Sequence, residues 1–176
     1  MFDLTADPMA CDKLRAMDHV TIYPYQDGRA AVIPTILSHS PIDLMIIMLG
    51  TNDLKVSFTP SEDVLARAME ELLKVIKNPY IWEHRKIPEL LIVSPPAICD
   101  PIETSHFYGM YDKKSVELSK KMGEVYEKIS KNYGCYFLDA AKYVKASELD
   151  CIHMDPENHH KLAEVLSREI KRILEK

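Results

Sequence analysis

The chain has 176 residues, 47% hydrophobic and 28% charged, with a formal net charge of -5, which suits one domain spanning residues 1–176 with a substantial core and excludes a disordered chain. Its acids and bases are interspersed, which argues against nucleic acid or an anionic membrane surface as a partner, and its longest apolar run falls far short of the ~20 residues that a spanning helix needs. Four widely spaced cysteines (Cys11, Cys99, Cys135 and Cys151) form no Cys-x-x-Cys pair. With no basic-then-apolar leader at the N-terminus, they are expected to be free thiols in a cytoplasmic protein.

In chain order, residues 1–26 carry little regular pattern beyond a β-prone patch, Val20 to Tyr23, stopped by Pro24. Asp27 can cap a helix over residues 29–38, with Pro34 as a local irregularity. Residues 44–49 are an unbroken apolar run, read as a strand buried on both faces. Thr59-Pro60-Ser61-Glu62 starts a second helix, with a hydroxyl cap and proline in the first turn, and its apolar spacing continues to Asn78-Pro79. Residues 90–93 form a second buried strand, ended by Ser94-Pro95-Pro96. The connection over residues 97–112 is long for a compact domain, as binding loops and lids are, and Phe107, Tyr108, Met110 and Tyr111 make it aromatic and apolar. These aromatics read either as loop packing or as a wall for a substrate.

A helix over residues 113–132, closed by Gly134, leads to a short strand at residues 135–138. Residues 139–149 are irregular or a short helix, and Pro156 opens a final amphipathic helix. The alternation of strands and helices predicts a parallel, doubly wound α/β sheet with right-handed crossovers.

Two clusters carry chemistry. In such sheets ligands gather beyond the carboxyl ends of the strands. Gly50-Thr51-Asn52-Asp53 follows the first strand directly, where Gly50 permits close backbone approach and Asn52 offers the neutral amide donor that an oxyanion hole needs. The competing reading of Asn52 and Asp53 is a turn that merely caps the departing chain. Asp150 and His153 stand three apart before the last helix, a spacing at which the carboxylate can hold one imidazole nitrogen and leave the other as a base; the same pair also suits a surface cap. Asp150, Cys151, His153, Asp155, His159 and His160 crowd together, yet their spacing fits no standard zinc pattern, so no metal and no cofactor is expected.

Leu49-Gly50-Thr51-Asn52-Asp53 after an apolar strand, Ile92 to Pro96, and Asp150-x-x-His153 trailed by Asp155 to His159 together resemble the SGNH, or GDSL-type, hydrolase family. The resemblance covers roughly residue 28 to the end. It implies a flavodoxin-like three-layer α/β/α fold and hydrolysis or transfer of acyl groups on small esters. It also implies roles: Asn52 as oxyanion donor, His153 as general base and Asp150 as its orienter. From their positions, Gly50 and Asp53 are expected to support the oxyanion turn, and Phe107, Tyr108 and Tyr111 are substrate-loop candidates.

The chain departs from the family in one respect: no Gly-Asp-Ser occurs anywhere and no glycine precedes Gly28. It therefore resembles a member lacking the first strand, first helix and second strand, with three core strands retained and the nucleophilic serine absent. Ser94, at a strand end, is the nearest substitute, but Pro95 and Pro96 deny it a helix N-terminus; Ser38, Ser40 and Ser57 have no better case. The alternative is an inactive domain with a structural or interaction role. A strand exposed by such a truncation needs cover, either from the Val20 to Tyr23 patch or from another copy, so a homo-oligomer is expected.

Overall fold

The computed structural model describes residues 27–83 and 85–175. The Val20 to Tyr23 patch, Cys11 and His84 lie outside them. The elements run α1 (Gly28–His39), β1 (Leu44–Ile47), α2 (Glu62–Ile76), β2 (Glu89–Ser94), α3 (Lys113–Tyr133), β3 (Tyr136–Asp139) and α4 (Pro156–Leu174). The strands pair in parallel in the order β1-β2-β3, with Ile47 beside Ile92 and Ile92 beside Phe137. This is the parallel α/β arrangement that the strand-helix alternation predicts, with the flavodoxin-like fold that the family resemblance implies.

Side chains alternate across a strand, so β2 feeds two cores. Leu90 and Ile92 join Val32 and Ile36 of α1, Met69, Leu72 and Ile76 of α2, and Met122 and Tyr126 of α3 on one face. Leu91 and Val93 join Leu138, Val144 and the apolar stripe Leu162, Val165 and Ile173 of α4 on the other. Of the described helices, three therefore cover one face and one covers the opposite face. Among the described residues no helix is long and apolar enough to cross a membrane.

The strand read as residues 44–49 stops at Ile47, and it is not buried on both faces. Met45 and Ile47 are buried, whereas Leu44 and Ile46 are only half-buried. The reason is position: β1 lies at an edge of the described sheet, and Leu44 and Ile46 pack at the margin of the cluster that α4 forms with β2 and β3.

Helix boundaries follow side-chain caps. Asp27 accepts from the Arg29 N–H, as the sequence suggests, and Pro34 is carried within a continuous α1. The cap of α2 is Ser61, which accepts from Val64 N–H, rather than Thr59, whose backbone is left-handed at φ 49°. Asp155 caps α4 by accepting from Asn158 N–H at 2.8 Å. At α3, Asp112 and Ser115 satisfy each other's backbone N–H groups reciprocally, a capping box built with serine rather than the usual Glu or Gln. Gly134 closes that helix at φ 60°.

Gly123, in the middle of α3, has a spatial reason. A Cβ there would lie 2.7 Å from the Asp139 carboxylate, so glycine lets the end of β3 nest against the helix. The same carboxylate accepts from the Ser94 hydroxyl at 2.9 Å and from Ala141 N–H at 3.2 Å, joining the ends of β2 and β3.

Because Ile92 is fully buried in the central strand, Ile92→Ala is expected to cost ~2–5 kcal/mol of stability. Leu37→Ala on α1, at 49% exposure, is expected to stay within ~0.5 kcal/mol. Urea unfolding checks both, and similar losses at the two sites would contradict this account of the core.

Candidate active site

Parallel strands place their carboxyl ends along one edge, and the two clusters singled out from sequence are built beyond it. After β1 the chain reaches Gly50 at φ 133° and turns through a 3-10 segment, Thr51–Leu54. A side chain at Gly50 would collide with the Tyr126 hydroxyl and with Met122 Sδ, the latter at 2.9 Å. Both the backbone angle and the space therefore demand glycine. Tyr126 donates to the Leu49 carbonyl at 3.2 Å, and burial followed by the nearby Asp53 charge pushes its phenol well above the ordinary range. Asp53 is 3% exposed, so its place is inside the turn and not on an open surface. Asn52 is half-buried.

The second cluster is a tight turn before α4. Asp150 Oδ1 accepts from the backbone N–H groups of Ile152 and His153, each at 2.9 Å, and Oδ2 lies 2.6 Å from His153 Nδ1. Burial raises the Asp150 pKa, but these three donors outweigh it and leave the carboxyl below its ordinary value. An ionised carboxylate can only accept, so Nδ1 carries the proton and Nε2 holds the lone pair of a base. The imidazole is half-exposed. Cys151, between the two, takes a left-handed backbone at φ 65° while its thiol is buried.

The connection over residues 97–112 links the clusters. Its turns are closed by Tyr108 N–H to the Ser105 carbonyl at 3.0 Å and Tyr111 N–H to the Phe107 carbonyl at 3.1 Å. The Ser105 hydroxyl donates to the Asp150 carbonyl at 2.5 Å and accepts from Phe107 N–H at 3.1 Å. The Phe107 ring stands edge-on to His153, with centroids 5.7 Å apart, and edge-on to Tyr111 at 6.5 Å. Tyr111 in turn donates its phenolic hydroxyl to Asn52 Oδ1 at 3.3 Å. A row of Asn52, Tyr111, Phe107, His153 and Asp150 thus runs from the end of β1 to the entrance of α4.

The aromatics of the loop differ in burial. Tyr111 is 2% exposed and packs inside the row. Tyr108 is 57% exposed at the surface, and Phe107 touches the imidazole. The structural importance of Ser105 had no sequence signal, because a serine in a loop resembles any other until its partners are known.

Ser94 is fully buried and committed to Asp139, which removes it as a substitute nucleophile. Among the described residues no group of three or more His, Cys, Asp or Glu side chains is arranged to hold a metal ion. Asp155 is spent on capping α4, and His160 pairs with Glu164 along the helix at 3.3 Å. A cavity of about 350 Å³ lined by Lys145, Ala146, Ser147, Glu148, Leu149 and Asp155 lies near the dyad in sequence, but neither Asp150, His153 nor Asn52 lines it.

Comparison with known proteins bears on this geometry. Residues 18–166 match the family described as GDSL-like lipase/acylhydrolase. No curated protein matches the chain. Among solved structures, it is similar to an arylesterase-assigned protein of Agrobacterium tumefaciens at 28% identity and TM-score 0.79, over 92% of this chain and 76% of that one. It is also similar to a carbohydrate acetylesterase family member from Sinorhizobium meliloti, at 25% identity and TM-score 0.83, over 93% and 77%. The aryl esterase of M. smegmatis shares the fold, with 23% identity and TM-score 0.83 over 92% and 75%.

The lowered Asp150 pKa carries a sign. Its contribution to stability is complete above the ordinary value of 3.8 and is lost as pH falls through the lower folded value. Asp150→Asn is therefore expected to lower Tm at neutral pH and to flatten the fall of Tm from about pH 5 to about pH 2. Superimposable Tm profiles for the two proteins would refute this assignment.

Proposed function

The chain belongs to the GDSL-like lipase/acylhydrolase family, and on that footing we propose that it acts on small acyl esters, with His153 as general base, Asp150 as its orienter and Asn52 as oxyanion donor. The observation that carries the reading is the 2.6 Å contact between Asp150 and His153, at the far end of an aromatic row whose other end holds Asn52. In the reaction, an O–H bond of an attacking water breaks as its proton passes to His153 Nε2. The new C–O bond forms, and the carbonyl π pair moves onto oxygen opposite the Asn52 amide. The proton on Nε2 then goes to the departing alkoxide, and the ester C–O bond breaks. The Asp150 carboxylate stabilises the imidazolium between these transfers. The arylesterase and carbohydrate acetylesterase neighbours support a short acyl group, and the half-exposed His153 beside Phe107 gives an apolar edge for it.

A second reading is favoured by one observation. The sequence holds no Gly-Asp-Ser block, and Ser94 is buried. A chain without an attacking hydroxyl of its own would be an inactive relative with a structural or interaction role.

Hydrolysis of short-chain p-nitrophenyl esters separates the two. Turnover that falls at least ~10²-fold in His153→Ala is the expected result. Equal rates in both proteins, or none in either, would overturn the enzymatic reading in favour of the second. We also propose that the chain self-associates through the apolar edge strand β1. Sedimentation at micromolar concentration is expected to give a homo-oligomer, and a clean monomer would contradict it.

A further inference from the structure

We infer that Tyr111 is a positioning residue for Asn52, setting the direction of its amide so that the N–H donors face away from the phenol, the orientation that the oxyanion role proposed for Asn52 needs. The inference rests on the proposed role of Asn52. A side-chain amide has an accepting and a donating end, and a half turn about its last bond exchanges them. If nothing discriminates between the ends, the acceptor faces a developing oxyanion for part of the time, and repels it. Tyr111 discriminates between them, because its hydroxyl donates to Asn52 Oδ1 at 3.3 Å. With Oδ1 held by a donor, Nδ2 points the other way. Stabilisation of an oxyanion depends on donors that are already oriented before charge develops, so this is a catalytic use of a buried tyrosine that makes no contact with substrate.

The tyrosine is itself rigidly held. At 2% exposure it is inside the protein, its N–H is bonded to the Phe107 carbonyl, and its carbonyl accepts from Gly109 N–H at 3.2 Å. The turn carrying Asn52 is fastened to the same loop. Val56 N–H donates to the Met110 carbonyl at 3.0 Å, and the buried Ser115 hydroxyl donates to the Leu54 carbonyl at 2.8 Å. These bonds hold the backbones of both partners, which keeps the phenol within reach of the amide. A phenylalanine at 111 would keep the ring packed against Phe107 and lose only the hydroxyl.

The test uses the full chain labelled with 15N. The side-chain NH2 pair of Asn52 is identified by its disappearance in Asn52→Ala, and Asn158, which donates to Asp155 Oδ1 at 2.9 Å, serves as an internal reference. In Tyr111→Phe the Asn52 pair is expected to shift and broaden, while the Asn158 pair and the backbone amides of β2 stay in place. An Asn52 pair unmoved by the substitution overturns the inference. In ester turnover, Tyr111→Phe is expected to lower kcat about 10-fold with KM unchanged, and to add nothing in an Asn52→Ala background. Failure of the two readings looks different. If the NH2 pair moves but neither Tyr111→Phe nor Asn52→Ala alters turnover, the positioning stands and the oxyanion role of Asn52 falls. If Asn52→Ala abolishes turnover and Tyr111→Phe leaves both kcat and the NH2 pair unchanged, the reverse holds.

Discussion

One carboxylate organises the entrance to α4. Asp150 accepts from two backbone N–H groups and from the imidazole of His153 within a single turn. Each bond needs the charged form. Burial works against that charge, and the three donors prevail. The turn and the tautomer are consequently one structure: the bonds that shape the backbone also decide which nitrogen of His153 carries the proton. The Ser105 hydroxyl, bonded to the Asp150 carbonyl, ties this turn to the loop that reaches across to the other end of the site.

The buried serines make a consistent pattern. Ser94 donates to Asp139, Ser105 to the Asp150 carbonyl, Ser115 to the Leu54 carbonyl, Ser119 to the Val116 carbonyl and Ser130 to the Tyr126 carbonyl. A buried hydroxyl without a partner is costly, and these five act as clasps between segments far apart in sequence or as helix back-bonds. Ser115 holds the Asn52 turn and Ser105 holds the dyad turn, so the long connection is a fastened spacer between two chemical groups.

Much of this was legible in the sequence because local rules and tertiary structure agree. Asp27, Gly134 and Pro156 mark helix ends as their chemistry dictates, and the apolar run of β2 announces a strand buried on both faces. The Asp150 and His153 pairing is a local contact, so three-residue spacing was enough to suggest it. The rest depends on the fold. The β1 run looks like that of β2, and only the order of strands reveals that one is at an edge. Tyr111 and Tyr108 have the same composition signal, and only the fold buries one and exposes the other. Thr59 and Ser61 are both acceptable caps, and the left-handed backbone at Thr59 decides between them.

The contact between Gly123, Asp139 and Ser94 joins the middle of a helix to the ends of two strands through one carboxylate. Any side chain at 123 would evict that carboxylate, and the serine hydroxyl would then be stranded in the interior. These three positions are therefore not free to drift separately. A lineage that changed one would be expected to change the others with it, so that descent should leave a correlated trace at places 29 and 16 residues apart along the chain.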